Sequence, residues 1–249
     1  MAERAVVLIT GANRGIGKGL LSTYLSRTNH TVIAGLRDPF SPSSIELQNL
    51  PHGNQSQLLL VKLDSTSETD AMAAVQTLVS EYGISKLDIV IANAGVSKYF
   101  GTALMTPAKE MLDHFTVNTM GPLLLFQATA PLLKAASAPK FVVISSGAGS
   151  ITQVDKLPVE NTAYGASKAA LNFVTRRIHY ENPYLVAFPI NPGWLQTDLG
   201  NHAAKTAGQA TAPVTVSDGV KGLIGQIDRA TRQETSGKFM AYDGEELPW

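Results

Sequence analysis

The architecture of this chain follows from Ala5-Val6-Val7-Leu8-Ile9-Thr10-Gly11-Ala12-Asn13-Arg14-Gly15-Ile16-Gly17. Ala5 to Ile9 is a continuous apolar run rich in valine and isoleucine, the pattern of a strand buried on both faces of a parallel sheet. A glycine-rich turn follows, then the helix-like Lys18 to Arg27. At such a junction backbone N–H groups and the helix dipole converge, which suits the diphosphate of a dinucleotide. Gly11 permits the tight turn, Gly15 admits phosphates close to the backbone, and Gly17 lets the helix pack on the strand. The spacing is G-x-x-x-G-x-G, not the commoner G-x-G-x-x-G. A plain turn would carry the same glycines, but the position at the first strand-to-helix junction favours the nucleotide.

Beyond this segment the chain keeps alternating. Thr31–Leu36, Leu58–Lys62, Leu87–Ala92, Phe141–Ile144, Leu185–Ile190 and Lys238–Tyr242 have strand patterns, although Pro189 counts against the sixth strand. Ser67 to Tyr82 is predicted as a helix with Met72, Val75, Leu78 and Val79 inward and Gly83 as its stop. Further helices are predicted at Ala108–Ala136, bent or broken at Pro122 and Pro131, at Thr162–Tyr180 and at Val216–Ala230, with a short one at Ser44–Leu50. The pattern predicts one α/β domain over residues 1–249, a Rossmann-type doubly wound parallel sheet of about seven strands with helices on both faces. Loops near residues 96–107, 147–162 and 194–213 are expected to border the substrate, with Leu199 to Pro213 as a lid.

Composition narrows the function. Hydrophobic residues make up 44% of the 249 and charged residues 16%, enough for a large core. The formal net charge is zero, so no global attraction to nucleic acid or an anionic membrane is implied. The absence of cysteine excludes disulfides, thiolate catalysis and cysteine-ligated metals. The five histidines show no metal-ligand spacing and read as surface or helix-face residues, so no metal is expected. No apolar run approaches the ~20 residues of a membrane span, and the default expectation is a soluble cytoplasmic protein.

Several positions fall at the carboxyl ends of the predicted strands, where ligands of open parallel sheets bind. Arg37 closes the second strand and reads as a clamp for the 2′-phosphate of NADP, with Arg14 able to add a second positive charge. Its alternative is a solvated pair with Asp38; were Asp38 the ribose ligand, NAD would be preferred. Asp64 could accept from an adenine amino group or serve equally as a turn or cap residue. Asn93-Ala94-Gly95 ends the fourth strand with small residues that leave space for a flat cofactor, and Asn93 is expected to tie neighbouring strands together. Asn118 lies inside an apolar helical stretch and must find partners there or cost about 1–3 kcal/mol. Ser145-Ser146 ends the fifth strand, where a hydroxyl can donate to a carbonyl oxygen or cap a turn. Asn191-Pro192-Gly193 and Thr197 could hold a carboxamide. Tyr164 and Lys168 are four apart on one predicted helix, so phenol and ammonium can share a face. A cation there lowers a tyrosine that normally titrates near ~10. Tyr99, Phe100 and Trp194 point to an apolar, aromatic-lined pocket.

Taken in order, Thr10-Gly11-x-x-x-Gly15-x-Gly17, Asn93-Ala94-Gly95, Asn118, Ser146, Tyr164-x-x-x-Lys168 and Pro192-Gly193 resemble the short-chain dehydrogenase/reductase family across nearly the whole chain. Within it the sequence is most similar to fungal carbonyl reductases of the norsolorinic acid ketoreductase type. That narrower likeness rests on Ser67-Glu68-Thr69-Asp70-Ala71, Leu125-Phe126-Gln127-Ala128-Thr129 and Asp243-Gly244-x-x-x-Pro248-Trp249. The resemblance implies reduction of a ketone or aldehyde by NADPH. Tyr164 would give the proton and Ser146 hold the carbonyl oxygen, Lys168 would lower the tyrosine and bind the nicotinamide ribose, and Asn118 would anchor a water. It further implies cofactor contacts from Gly11, Asn13, Arg14, Gly15, Ile16, Gly17, Arg37, Asp64, Asn93, Ala94, Gly95, Tyr164, Lys168, Pro192, Gly193 and Thr197. The Ser146-to-Tyr164 interval is longer than the family's usual one, and Ser145 is the alternative hydroxyl. An NAD-dependent alcohol dehydrogenase and a non-catalytic NADP-binding regulator are the competing readings. A serine hydrolase is a third, from Gly165-Ala166-Ser167-Lys168-Ala169, a loose nucleophile elbow with alanine in its last place. Ala166, Ala169 and Ala170 would allow close helix pairing in a homo-oligomer.

Overall fold

The computed structural model describes residues 4–249. The chain runs β1 (Ala5–Thr10), α1 (Gly15–Leu25), β2 (His30–Leu36), α2 (Pro42–Ile45), β3 (Gln57–Lys62), α3 (Asp70–Ser80), β4 (Ile89–Ala92), α4 (Ala108–Phe115) and α5 (Gly121–Lys134). It continues through β5 (Lys140–Ile144), α6 (Thr162–Glu181), β6 (Val186–Asn191), α7 (Asp198–Thr206), α8 (Val216–Arg229) and β7 (Met240–Ala241). All seven strands are parallel, in the order β3-β2-β1-β4-β5-β6-β7. The order therefore reverses between β1 and β4. The loops after those two strands part there and leave a crevice at the carboxyl edge.

Strand alternation divides the core. Val7 and Ile9 join Leu20, Leu21, Tyr24, Leu223 and Ile227 on one face of the sheet. Leu8 and Val90 join Leu78, Leu125, Leu133 and Leu171 on the other. Both faces of β1 are thus covered, which is why its sequence is apolar without interruption.

Several local expectations are corrected. Helix α3 buries Ala71, Ala74 and Leu78, while Met72 and Val79 are about half exposed. Its phase is fixed at the start: Ser67 Oγ donates to Asp70 Oδ1 (2.7 Å) and accepts from Asp70 N, turning the alanines to the sheet. The stretch 108–136 is not broken at either proline: α4 runs into α5 through a π-helical turn over Thr116–Met120, Pro122 occupies the first turn of α5, and α5 continues through Pro131 to Lys134. The backbone bonding shifts register at the π-helical turn, with Gly121 N donating to Thr116 O five residues back. Pro189 sits inside β6 after all. Ala187, two residues earlier, directs its N–H to Ser236 Oγ, so Pro189 lacks its donor on the flank where β7 pairs only with Ile190 and Asn191. The expected lid loop is instead mostly the helix α7, whose Thr197 hydroxyl accepts from Gly200 N. His114 is of the helix-face kind: on α4 it is fully buried, accepts at Nε2 from Lys98 N (3.0 Å) and bonds Glu110 O through Nδ1. Among the described residues no helix is long and apolar enough to cross a membrane.

Candidate active site

The crevice floor begins with Thr10. Its hydroxyl accepts from Asn93 N and Ala94 N, both at 3.0 Å, while Asn93 Nδ2 donates to Thr10 O (2.8 Å) and Gly11 O (3.2 Å). The loop after β4 is thereby tied onto the loop after β1, the tie expected of Asn93. A Cβ on Gly17 would lie 2.2 Å from Gly11 O and 2.6 Å from Asn93 Nδ2, so the close approach of α1 to this turn requires glycine. No side chain caps the first turn of α1, and its N–H groups remain directed at the crevice. Ile16 lines the crevice beside them.

At the rim, Arg14 pairs with Asp198 of α7 at 3.7 Å, an exposed contact of little energetic weight. Asn13 Nδ2 donates to Ser43 Oγ (2.9 Å). Arg37 is exposed at the end of β2. The carboxylate of Asp38 accepts from Phe40 N within its own turn (2.9 Å). Asp64 Oδ1 accepts from Thr66 N and the Thr66 hydroxyl, so its carboxylate is committed to a turn.

On the other side, Ser146, Tyr164 and Lys168 line one cavity of about 280 Å³, which Asn93, Gly95, Pro192, Gly193 and Thr197 also line. Ser146 follows β5, whereas Tyr164 and Lys168 lie one turn apart near the start of α6, so the three groups converge through the β5–α6 crossover. Ser146 Oγ accepts from Ala148 N (3.2 Å) and lies close enough to the Tyr164 hydroxyl to favour its ionised form. Ser145 is turned away: it is buried and donates to Asn172 Oδ1 at 2.6 Å. Of the two candidate hydroxyls, Ser146 is the one facing Tyr164.

Lys168 is buried, with Nζ donating to Ile144 O (2.7 Å) and standing 5.7 Å from the Tyr164 ring centroid. Burial lowers its pKa to about 8. Tyr164 is not lowered as its spacing to Lys168 led one to expect. Burial raises it, and the nearby Ser146 hydroxyl opposes that rise. The ammonium is held by a backbone carbonyl and is itself weakened by burial, which limits its pull on the phenol.

Asn118 occupies the π-helical turn. Its Oδ1 accepts from Val96 N (2.8 Å), and Nδ2 donates to Val96 O (2.9 Å) and Ser167 Oγ (3.0 Å). A Cβ on Gly95 would meet Asn118 Oδ1 at 3.2 Å and Lys168 Nζ at 3.6 Å, so glycine keeps open a space that both polar atoms border. Ser167 donates to Tyr164 O from the interior of α6 and is buried there. It is on no strand-to-helix elbow, and the hydrolase reading loses its nucleophile.

The cavity walls are apolar: Phe100, Leu157, Val159, Trp194, Leu195 and Leu199. Tyr99 is not among them, since its hydroxyl donates to Met105 O (2.8 Å) and its ring packs beside Gly101. Leu157-Pro158-Val159 and Asn161 also line the cavity and were not singled out from sequence. The one available signal was an apolar triplet inside an otherwise polar segment.

A family model described as short chain dehydrogenase matches residues 5–229. The norsolorinic acid ketoreductase of Aspergillus parasiticus is 44% identical over 250 residues, covering 99% of this chain and 92% of that protein. The norsolorinic acid ketoreductase of Emericella nidulans is 40% identical, covering 99% and 94%. Among solved structures, the NADPH-bound carbonyl reductase from chicken fatty liver is similar over 100% of both chains, with a TM-score of 0.86 and 32% identity.

Proposed function

The chain belongs to the short-chain dehydrogenase family, and we propose that it is a cytoplasmic, NADPH-dependent carbonyl reductase acting on apolar or aromatic ketones and aldehydes. The observation that carries this reading is the meeting of Ser146, Tyr164 and Lys168 in one apolar cavity beside the glycine turn. The residues present fit the cofactor. The turn at Gly11 and Gly17 has no room for a Cβ at Gly17, and uncapped N–H groups of α1 face a position suited to phosphate. Arg37 is exposed, whereas the neighbouring Asp38 is occupied by its own turn, which favours a 2′-phosphate over a bare ribose. This is the reason the NAD-dependent alcohol dehydrogenase is the weaker alternative.

NADPH bound in the crevice supplies the hydride. Tyr164 donates its proton to the substrate's carbonyl oxygen, and its raised pKa keeps that proton in place through the neutral range. Ser146 hydrogen-bonds the same oxygen and holds it against the phenol. Lys168 keeps a positive charge near both below pH of about 8, favouring the negative charge that develops on oxygen. Asn118 Oδ1 and Lys168 Nζ border the space over Gly95, where a water would return a proton to Tyr164 through the lysine. The remaining cofactor contacts are assigned to Gly15, Ile16, Ala94, Gly193 and Thr197, which lie along or beside the same crevice. Asp64, held in its turn, contributes to the adenine side only through its position.

The test is purified protein with NADPH and a panel of aryl ketones, following loss of the reduced nicotinamide's absorbance alongside alcohol formation. Stoichiometric consumption supports the reductase. Tight NADPH binding with no turnover of any carbonyl would leave the non-catalytic regulator instead.

A further inference from the structure

The extended segment between Ser146 and Tyr164 is fastened at both ends. Its far end is held to the loop after β4: Gly101 N donates to Glu160 O (2.7 Å), and the Thr162 hydroxyl donates to Gly101 O (3.1 Å). Its near end is held by residues almost a hundred positions away. The Ser150 hydroxyl donates to Pro248 O (2.7 Å), and Thr152 donates to Trp249 O through both its N–H (2.9 Å) and its hydroxyl (2.7 Å). Between these fastenings, Leu157, Pro158 and Val159 form a wall of the cavity.

The tail that reaches this segment is itself anchored. After β7 the chain turns at Gly244, whose φ of +99° suits glycine, and runs back antiparallel, pairing Glu246 with Met240. Leu247 N donates to Phe239 O (2.7 Å). The Trp249 indole then stacks on the buried Phe239 ring at 5.8 Å, with the Arg176 guanidinium of α6 over it at 4.9 Å. Three hydrogen bonds and an aromatic anchor thus join the tail, α6 and the segment that shapes the pocket.

We propose that Pro248 and Trp249 are positioning residues for substrate: they brace residues 150–159 so that Leu157 and Val159 present a fixed wall to the carbonyl compound. Neither residue lines the cavity, so the effect passes through the braced segment alone. The inference rests on the reductase reading for its kinetic arm only. A tail that merely covered the core would contribute to global stability. A brace contributes to the order of one segment and to the fit of substrates large enough to touch it.

The test compares the wild type with a chain lacking Pro248 and Trp249, and with Trp249→Ala and Trp249→Phe. Lys156 is exposed in the middle of the segment, so trypsin reports directly on its freedom. We expect cleavage after Lys156 to quicken on the order of tenfold in the truncated and Trp249→Ala proteins, with NADPH affinity and melting temperature unchanged. KM for acetylnaphthalene should rise on the order of tenfold while kcat and the KM for acetone change little, and Trp249→Phe should restore most of the difference. Unchanged cleavage after Lys156 would overturn the brace, as would an equal loss of cofactor binding and thermal stability. If the wild type reduced no ketone, the functional reading would fall while the cleavage experiment still decided the brace.

Discussion

On the β1–α1 side the crevice is shaped by main chain, with Gly17 at a distance no side chain fits, Thr10 holding two backbone N–H groups, and uncapped helix amides facing outward. On the β5–α6 side it is shaped by side chains, with Lys168 buried, Asn118 held by three hydrogen bonds, and Ser146 beside the Tyr164 hydroxyl. In the proposed reading, the first side receives a ligand common to many enzymes and needs only space and aligned dipoles. The second would place a proton and a charge, which calls for desolvated groups whose pKa values are moved by their surroundings. Variants on the two sides should therefore fail differently.

The largest separation is expected from Tyr164→Phe. Removing the proton donor should lower kcat for ketone reduction on the order of a thousandfold. NADPH affinity, measured by fluorescence quenching of the protein, should stay within about twofold. Retained turnover would remove the central group from the mechanism. Gly17→Ala should fail on the opposite side. A methyl 2.2 Å from Gly11 O forces α1 off the turn, so stability should fall by about 1–3 kcal/mol in urea denaturation. NADPH affinity should drop with it on the order of a hundredfold, because the misplaced amides lose their alignment. Unchanged binding in Gly17→Ala would mean the cofactor's phosphates lie elsewhere. A smaller and more selective effect belongs to Arg37→Leu. Losing a charge-assisted contact of about 1.5–3 kcal/mol should weaken NADPH on the order of ten- to a hundredfold and leave NADH nearly untouched. Equal weakening of both cofactors would show that Arg37 does not read the 2′-phosphate.

The same contrast governs what could be read from the chain alone. The glycine turn, the unbroken apolar run of Ala5 to Ile9 and the doubly wound sheet were legible because backbone constraints leave local marks: glycine where Cβ cannot fit, apolar runs where both faces are covered. Tyr164 and Lys168 were legible through helical spacing. Their electrostatics were not, since the depth of burial that raises the tyrosine depends on β5, α6 and the loops packing together. Met72 and Val79 misled because hydrophobicity alone placed α3's inner face, whereas the bonds between Ser67 and Asp70 set its phase and small alanines meet the sheet. Thr197 was read as a ligand-holding hydroxyl, and its oxygen also serves as the cap that starts α7. The loop over residues 147–162 was expected at the substrate, but Leu157 and Val159 were not singled out within it, because its ends are fastened by Gly101 and by the remote Pro248 and Trp249, contacts that no local pattern announces.

The last prediction sets stability against function at a single atom. Lys168 has a folded pKa of about 8 against an ordinary 10.5, so folding favours its neutral form. Below pH of about 8 the lysine is charged in both the folded and unfolded chain, and the whole cost of burying the cation is present. Between about 8 and 10.5 the unfolded chain binds the proton and the folded one does not, so this group makes stability rise with pH across that window. Above 10.5 the cost is gone. Lys168→Met should therefore stabilise the cofactor-free protein at pH 7 by on the order of 2 kcal/mol, the lost bond to Ile144 O offsetting part of the gain. The gain should shrink towards zero as the denaturation is repeated up to pH of about 10. The same variant should lose most of its ketone reduction, and wild-type kcat should decline as pH rises past about 8, where the charge leaves the site. A glycine turn offers no such exchange, because nothing there is held in an unfavourable protonation state. A Lys168→Met protein that is less stable at pH 7, or whose stability difference ignores pH, would show that this ammonium is a structural tie and not a strained functional group.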